Sequence, residues 1–159
     1  MGTDRGQGGQ LTLLICRVGT RLCGVPLAYV VETMRPLPVE PLAHLPSFVD
    51  GLSLIRGRPT PVLDARRLLG ANDQPSALTR YVTLALGERF AALAVDAVLG
   101  IRDLDVGRLD ELPPLLRDAQ TELVRAIGTL DDQLLFVLER SRLVPQAVWA
   151  TVEAEAMPA

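Results

Sequence analysis

The chain has 159 residues, of which 48% are hydrophobic and 22% charged, and its formal net charge is −3. This composition is typical of a folded globular protein, and the length favours one compact domain or two small lobes that share a core. An aromatic content of 4% and the absence of a long basic run argue against a nucleic-acid-binding protein.

The first ten residues, "MGTDRGQGGQ", are rich in glycine and lack the apolar core of a secretion signal. No later apolar run reaches the roughly 20 residues that span a bilayer. We therefore expect residues 1–10 to form a flexible tail on a cytoplasmic protein.

Two apolar runs between Leu11 and Leu27 predict a β-hairpin that turns at Gly19-Thr20. In that register Cys16 lies opposite Cys23, at a distance where a disulfide is conceivable. A reducing cytosol instead favours two small buried hydrophobic side chains.

Pro26 begins a segment with helical spacing of its apolar residues, which predicts about two helical turns as far as Met34. Residues 35–48 contain four prolines and should form an extended connection. From Gly51 to Leu63 we expect a strand pair that bends at Gly57.

Asp64 is placed to cap a short helical turn, with Gly70 as the residue after that turn. Pro59 and Pro61 lie two apart, so both remove an amide donor from the same side of their strand. This pattern indicates a sheet edge near the surface. Residues 71–78 should form a polar linker.

The second half predicts a hairpin around Gly87-Glu88, a short turn capped by Asp96, and a long charged connection over residues 102–124. A further hairpin follows around Asp131-Asp132. Pro145 begins a C-terminal helix that carries Val148, Trp149 and Val152 on one face.

The two halves resemble each other in the order of these elements, which predicts two small β-barrels. We place the lobes at residues 11–78 and 79–150, followed by a frayed tail over residues 151–159. The expected fold class is all-β with short helices.

Catalytic and metal-binding patterns are scarce. His44 is the single histidine, and the two cysteines cannot build an ordinary zinc site. The acidic residues Asp103, Asp105, Asp110 and Glu111 do not fit an EF-hand loop. We therefore expect no enzyme, no metal and no cofactor.

The alternative is a ligand-binding module or small hydrolase that uses His44 with Asp50 in a groove between the lobes.

Binding is the remaining function. In an extended strand, Leu52, Leu54, Arg56 and Arg58 point to one face, while Ser53, Ile55 and Gly57 point to the other. Either the leucines belong to the core and Arg56 snorkels over them, or the face is an exposed contact patch.

The chain resembles the CheW-like family of chemotaxis coupling proteins from about Leu11 to Val144. The resemblance is carried by the order of "LLICRVGTRLCGVPLAYVVETM", "LPSFVDGLSLIRGRPTPVLDARRLLG", "RYVTLALGERFAALAVDAVLGI" and "AIGTLDDQLLFVLERSRL". Its strongest motif is G-x-x-x-x-R-G followed by P-V-x-D, from Gly51 to Asp64.

The resemblance implies two SH3-like five-stranded β-barrel lobes with a hydrophobic junction, plus a C-terminal helix. It also implies a non-enzymatic scaffold at membrane-bound receptor arrays. Its partners would be the regulatory domain of a CheA-type histidine kinase, the cytoplasmic tips of chemoreceptors and other CheW-like proteins. The partner-binding residues implied by the alignment are Val30, Glu32, Gly51, Leu54, Arg56, Gly57, Val98 and Ile101.

One position departs from the family. Members usually read N-L-R-G, whereas this chain has Leu54-Ile55-Arg56-Gly57. An apolar side chain in place of an amide changes which polar partners an interface can satisfy. We therefore expect non-standard partners, such as those of a pathway that controls pili or surface motility.

Overall fold

The computed structural model describes residues 9–69, 80–106, 110–111, 124–131, 133–138 and 144–156. Several sequence-based expectations lie outside this part. They concern the tail at residues 1–8, the residue Gly70, the linker at 71–78, and residues 112–123 of the long connection. The strands and helices, in chain order, are β1 (Gln10–Val18), β2 (Arg21–Pro26), β3 (Val30–Met34), β4 (Val49–Ile55), β5 (Arg58–Asp64), α1 (Ala65–Leu68), β6 (Arg80–Leu86), β7 (Arg89–Val95), β8 (Ala97–Asp105), β9 (Asp110–Glu111), β10 (Val124–Leu130), β11 (Gln133–Leu138) and α2 (Gln146–Ala156).

The strands form two sheets, so the predicted all-β class with short helices is confirmed. One sheet has five strands in the order β3-β6-β7-β5-β4, and the other has six in the order β8-β1-β2-β11-β10-β9. We call the units built on them the five-strand lobe and the six-strand lobe. The six-strand lobe takes β1 and β2 from the first half of the chain and its other strands from the second half. The division expected between residues 78 and 79 therefore does not follow the sheets.

The first hairpin is confirmed with its predicted register. Val18 pairs with Arg21 across the Gly19-Thr20 turn, and Cys16 pairs with Cys23. Both cysteines are free and buried. They serve as small core residues at the junction of the two lobes.

The helix predicted from Pro26 to Met34 is wrong. A single 3-10 turn spans Leu27–Tyr29, and the chain then enters β3 and pairs with β6. Val30, Val31 and Thr33 are β-branched, so they fit a pleated strand better than a helix. The apolar residues with helical spacing belong to two different elements: Leu27 lies in the 3-10 turn, and Val30 to Met34 form a strand whose exposure alternates residue by residue.

The second hairpin joins β4 and β5, and Asp64 caps α1 as predicted. Its carboxylate accepts hydrogen bonds from the backbone N–H groups of Arg66 and Arg67. We expected the strand that carries Pro59 and Pro61 to be a sheet edge, and this is wrong for its second part, Val62 to Asp64. Strand β5 pairs with β7 from Val62 onward, immediately after Pro61, whereas β4 is the edge strand.

The second half contains two further corrections. The hairpins at Gly87-Glu88 and Asp131-Asp132 are confirmed. Asp96, however, caps no helical turn: its Oδ2 accepts a hydrogen bond from the backbone N–H of Gly19, 2.6 Å away, and β8 follows directly. The connection expected from residue 102 begins later, because β8 continues to Asp105 by pairing with β1.

Three groups of buried residues hold the molecule together. Each lobe has its own cluster, around Leu13 and Leu135 in the six-strand lobe and around Val62 and Tyr81 in the five-strand lobe. A larger cluster draws residues from both sheets and from α2, which gives the hydrophobic junction implied by the family resemblance.

The C-terminal helix is part of this junction. Val148, Trp149 and Val152 are buried in the junction cluster, as predicted from their shared face. Arg89 lies over the indole ring of Trp149 and pairs with Glu153 at 2.8 Å. Because α2 continues to Ala156, the boundary expected at residue 150 falls inside a helix.

Candidate docking surface

A two-residue turn at the tip of the β4–β5 hairpin presents Arg56. Arg56 and Gly57 have φ angles of 54° and 78°, as in the tight turns that match the twist of a hairpin. The side chain of Arg56 is 75% exposed. It therefore does not snorkel over a core, and of the two alternatives from the sequence the structure agrees with the exposed side chain.

Arg56 is paired with Glu32 in a two-point contact. Nε of Arg56 lies 2.9 Å from one carboxylate oxygen of Glu32, and the terminal nitrogen lies 2.7 Å from the other. The planar guanidinium matches the carboxylate in this geometry, which fixes both side chains more firmly than a single contact would. Glu32 lies on β3 and Arg56 beyond β4, so the pair joins the two edges of the five-strand sheet.

The bulge in β3 aims Glu32 at this turn. The pairing with β6 passes directly from Val30 to Glu32, which leaves Val31 as an extra residue with half of its side chain exposed. The hydroxyl of Thr83 accepts a hydrogen bond from the Glu32 N–H and also lies 3.2 Å from the Glu32 carbonyl oxygen. Thr83 thus holds the backbone of Glu32 at the point where the strand is irregular.

The ion pair borders a groove of about 220 Å³. Its apolar walls come from Val31, Ile55 and Phe90. The guanidinium of Arg58 lies 4.4 Å from the centre of the Phe90 ring, which places a second cation at the rim. An apolar floor with charges at its edge is the arrangement that protein interfaces use for an anchoring side chain.

Each member of the pair keeps the other charged. The hydrogen bonds from Arg56 hold the pKa of Glu32 below its ordinary value, and the same bonds raise the pKa of Arg56. Exposed ion pairs contribute little to folding stability. The main effect of this pair is to fix the position and charge of two groups that a partner can contact.

Gly51 and Gly57, both predicted as partner-binding, differ in their surroundings. Gly51 has φ of 147°, and a Cβ atom there would lie 2.2 Å from the carbonyl oxygen of Glu40. The backbone of Glu40 approaches so closely because it exchanges two hydrogen bonds with Leu52. Gly51 is therefore required by the fold, whereas Gly57 faces open space and only its turn conformation favours glycine.

Leu54 is the residue that departs from the family motif, and 66% of its side chain is exposed. It lies on the edge strand β4 opposite Pro59, with Ile55 beside it pointing into the core. An exposed leucine next to a fixed charge is available to a partner and adds nothing to the core.

The remaining predicted residues lie at two other places. Val30 and Val98 are partly buried against the junction cluster, so both lie where the lobes meet. Ile101 is exposed on β8 of the six-strand lobe, where it lines a hollow of about 310 Å³. The structure thus brings together Glu32, Arg56 and Gly57 and separates them from Ile101.

The alternative site at His44 and Asp50 has no supporting geometry. His44 is exposed with φ of 66°, and no hydrogen bond or ion pair joins it to Asp50 in the part of the chain that the structure describes. The carboxylate of Asp50 instead lies 3.5 Å from Arg67. Burial and the nearby Asp64 raise the pKa of Asp50, which Arg67 partly offsets.

Val31, Thr83 and Phe90 line the groove beside the Glu32–Arg56 pair and are not found from the sequence, whereas Arg58 is placed on the same face as Arg56 by the strand pattern. The sequence pattern places Val31 in a helix, and Thr83 and Phe90 come from strands that meet β3 and β5 only in the folded sheet. The adjacent valines before Glu32 are the available signal, because two consecutive β-branched residues suit a bulged edge strand.

The described residues contain neither a cluster of potential metal ligands nor a helix that could cross a membrane. Within them, no three or more potential metal ligands come together in one place. Over the same residues, none of the helices combines the length and apolar character that a membrane crossing requires.

Comparisons with known proteins agree on one family. The family model described as the CheW-like domain matches residues 12–148. Protein FrzA of Myxococcus xanthus is 35% identical over 137 residues, which cover 82% of this chain and 83% of that protein. Chemotaxis protein CheW of Klebsiella aerogenes is 23% identical over 141 residues, covering 88% and 85%. The crystal structure of scaffolding protein TtCheW from Thermoanaerobacter tengcongensis superimposes with a TM-score of 0.70 at 21% identity, covering 81% of this chain and 88% of that one, and shares the fold.

Proposed function

The chain belongs to the CheW-like domain family, and from this premise we propose that it couples chemoreceptors to a CheA-type histidine kinase. It acts as a non-enzymatic adaptor in chemosensory signal transduction. Its place is the cytoplasmic face of membrane-bound receptor arrays, where it contacts the regulatory domain of the kinase and the tips of the receptors.

The observation that carries this proposal is the Glu32–Arg56 pair. It stands at the family's coupling motif, and its charges are held in place beside an apolar groove. A fixed, exposed ion pair next to apolar surface supplies both orientation and contact area to a partner. We assign the groove and the pair to the docking of the kinase regulatory domain or the receptor tip.

Val30 and Val98 support a second part of the proposal. Both lie against the junction cluster, one from each lobe. A receptor helical hairpin that seats between the lobes would contact this region through its apolar residues. We therefore assign Val30 and Val98 to the receptor contact.

Leu54 sets the choice of partner in this proposal. An interface that buries Leu54 gains about 1.5 kcal/mol or more from its apolar surface, which corresponds to more than tenfold in Kd. A partner suited to asparagine would instead leave a polar group unpaired against the leucine. Leu54→Asn should weaken binding to the native partner without changing the melting temperature, since the side chain lies outside the core.

The test is a binding titration of the protein against the kinase regulatory domain and against a receptor-tip fragment. Arg56→Glu should weaken binding to at least one of them by tenfold or more while the melting temperature stays unchanged. Arg80→Glu is the matched control, because Arg80 is an exposed arginine of the same lobe that does not line the groove. No binding of the wild-type protein to either partner would refute the proposed function. Equal losses in both variants would refute the role of Arg56.

A further inference from the structure

Two short connections carry the chain from one lobe to the other, and each leads directly to a residue that we assign to the receptor contact. Between β2 and β3 the connection is the 3-10 turn Leu27–Tyr29, and Val30 follows it. Between β7 and β8 the connection is the single residue Asp96, and Val98 lies two positions further along. The arrangement of the lobes therefore determines where Val30 and Val98 lie relative to each other.

Asp96 joins the lobes without slack. Val95, the residue before it, pairs with Arg80 in the five-strand sheet. The backbone N–H of Asp96 donates a hydrogen bond to the carbonyl oxygen of Arg17, 3.0 Å away. Its carboxylate accepts the 2.6 Å hydrogen bond from the N–H of Gly19. Arg17 and Gly19 belong to the β1–β2 hairpin of the six-strand lobe, so neighbouring residues of the chain are fixed in different lobes.

Arg21 makes a second contact between this hairpin and the five-strand lobe. Its guanidinium donates a hydrogen bond to the carbonyl oxygen of Leu69, the residue that follows α1. Helix α1 continues from β5 and contacts β7, so Leu69 moves with the five-strand sheet. The same guanidinium lies 5.5 Å from the centre of the Phe136 ring in β11 of the six-strand lobe, which holds it in place. Gly19 and Arg21 flank Thr20, so both hydrogen bonds act on one turn.

These hydrogen bonds differ in kind from the contacts of the junction cluster. Apolar contact has no preferred direction, so the cluster holds the lobes together without selecting one angle between them. Hydrogen bonds depend on distance and angle, and a bond to a carboxylate is among the stronger ones. We propose that Asp96 and Arg21 are positioning residues that clasp the Gly19-Thr20 turn. Together they set the angle between the lobes at which Val30 and Val98 contact one receptor hairpin. The identity of this partner rests on the proposed function.

Loss of the clasp should lower the affinity for the receptor without changing the residues that contact it. The freed lobes would sample several angles, and only the fraction of molecules at the right angle would bind. If that fraction falls to about one tenth, the apparent Kd rises about tenfold. Asp96→Ala removes the acceptor, whereas Asp96→Asn keeps a carbonyl oxygen that accepts from the Gly19 N–H. Arg21→Met removes the donor but keeps an apolar chain beside Phe136.

The first measurement is the distance between the lobes. Spin labels are attached at Glu88→Cys and Gln133→Cys, two exposed positions at hairpins of the five-strand and the six-strand lobe. Pulsed electron paramagnetic resonance then records the distribution of their separation. Cys16 and Cys23 are buried and should remain unlabelled, which the chain without added cysteines checks. The distribution should be narrow with Asp96 or Asp96→Asn, and broader with Asp96→Ala or Arg21→Met.

The second measurement is the titration against the receptor-tip fragment. Asp96→Ala and Arg21→Met should each weaken binding about tenfold, whereas Asp96→Asn should stay within about twofold of the wild type. Ser53→Ala is the matched control, because Ser53 donates a side-chain hydrogen bond to the carbonyl oxygen of Pro38, 2.9 Å away, within the five-strand lobe alone. Melting temperatures verify that each variant is folded at the titration temperature. Arg21→Met tests the clasp even if Asp96→Ala does not fold.

Four results would overturn the proposal. These are distance distributions of Asp96→Ala and Arg21→Met that match the wild type, equal broadening in Ser53→Ala, equal broadening in Asp96→Asn, or broadening that leaves the receptor affinity unchanged. A wild-type protein that does not bind the receptor tip would refute the proposed function instead. The distance distributions, which need no partner, would then still decide whether the clasp sets the angle between the lobes.

Discussion

Substitution of Gly51, the first residue of the G-x-x-x-x-R-G motif, by alanine tests whether this glycine is required by the fold or by a partner contact. The new Cβ atom would lie 2.2 Å from the carbonyl oxygen of Glu40 and 2.8 Å from the Cα atom of Pro41. Both are backbone atoms, so the strand or the connection must move. A non-glycine residue in this backbone region costs about 1–3 kcal/mol, and loss of the Glu40–Leu52 hydrogen bonds adds about 1 kcal/mol each. We expect a total destabilisation of about 3–5 kcal/mol.

The matched control is Gly57→Ala. Gly57 also has a positive φ, but no atom lies within 4 Å of the position that a Cβ atom would take there. Its substitution should cost only about 1–2 kcal/mol of backbone strain. Thermal unfolding followed by circular dichroism checks both values, at about 2–4 °C per kcal/mol for a chain of this size. A Gly51→Ala shift no larger than that of Gly57→Ala would refute the close-approach argument.

Three further predictions concern the core and the electrostatics. Burial raises the pKa of Cys16 to about 12, so a thiol reagent near pH 8 should modify Cys16 only after denaturant unfolds the protein. Mass spectrometry measures the modification, and rapid modification of Cys16 in the native protein would contradict the prediction. Val148→Ala should lower the free energy of unfolding by about 2 kcal/mol in urea because it opens a cavity in the junction cluster, whereas the exposed control Gln146→Ala should change it by less than about 0.5 kcal/mol. Arg67→Met should raise the pKa of Asp50 further above its ordinary value, since Arg67 lowers it. The resulting destabilisation should be fully present above that folded-state pKa and shrink as pH falls through it, and a carboxyl titration by NMR that shows no shift would contradict the assignment.

The features that the sequence predicts correctly depend on residues close together along the chain. The Gly19-Thr20 turn determines the pairing of Cys16 with Cys23, because a two-residue hairpin loop leaves one register. The acidic cap at Asp64 is equally local.

Features that depend on sheet assembly are predicted poorly. The segment from Leu27 to Met34 has the apolar spacing of a helix, yet Val30 to Met34 form a strand because they pair with β6, which is 47 or more positions later in the chain. Asp96 has the sequence context of a helix cap, yet its hydrogen-bond donor, Gly19, is 77 positions away in the chain.

The candidate site combines both kinds of information. Glu32 and Arg56 are each predicted from family motifs, but their direct contact is not, since it links residues 24 apart across the edges of a sheet. The ion pair of Arg102 with Asp131 is not found from the sequence either, because the charged pattern around Arg102 predicts a connection instead of β8.

Reconstitution on receptor-containing vesicles tests the coupling function most directly. The kinase is sedimented with the vesicles in the presence and absence of this protein, and the amount of pelleted kinase is measured. Coupling predicts that kinase pellets with the receptor only when the protein is present, and that Arg56→Glu reduces this amount while Arg80→Glu does not. Kinase that pellets equally well without the protein, or that stays in solution with it, would contradict the coupling function.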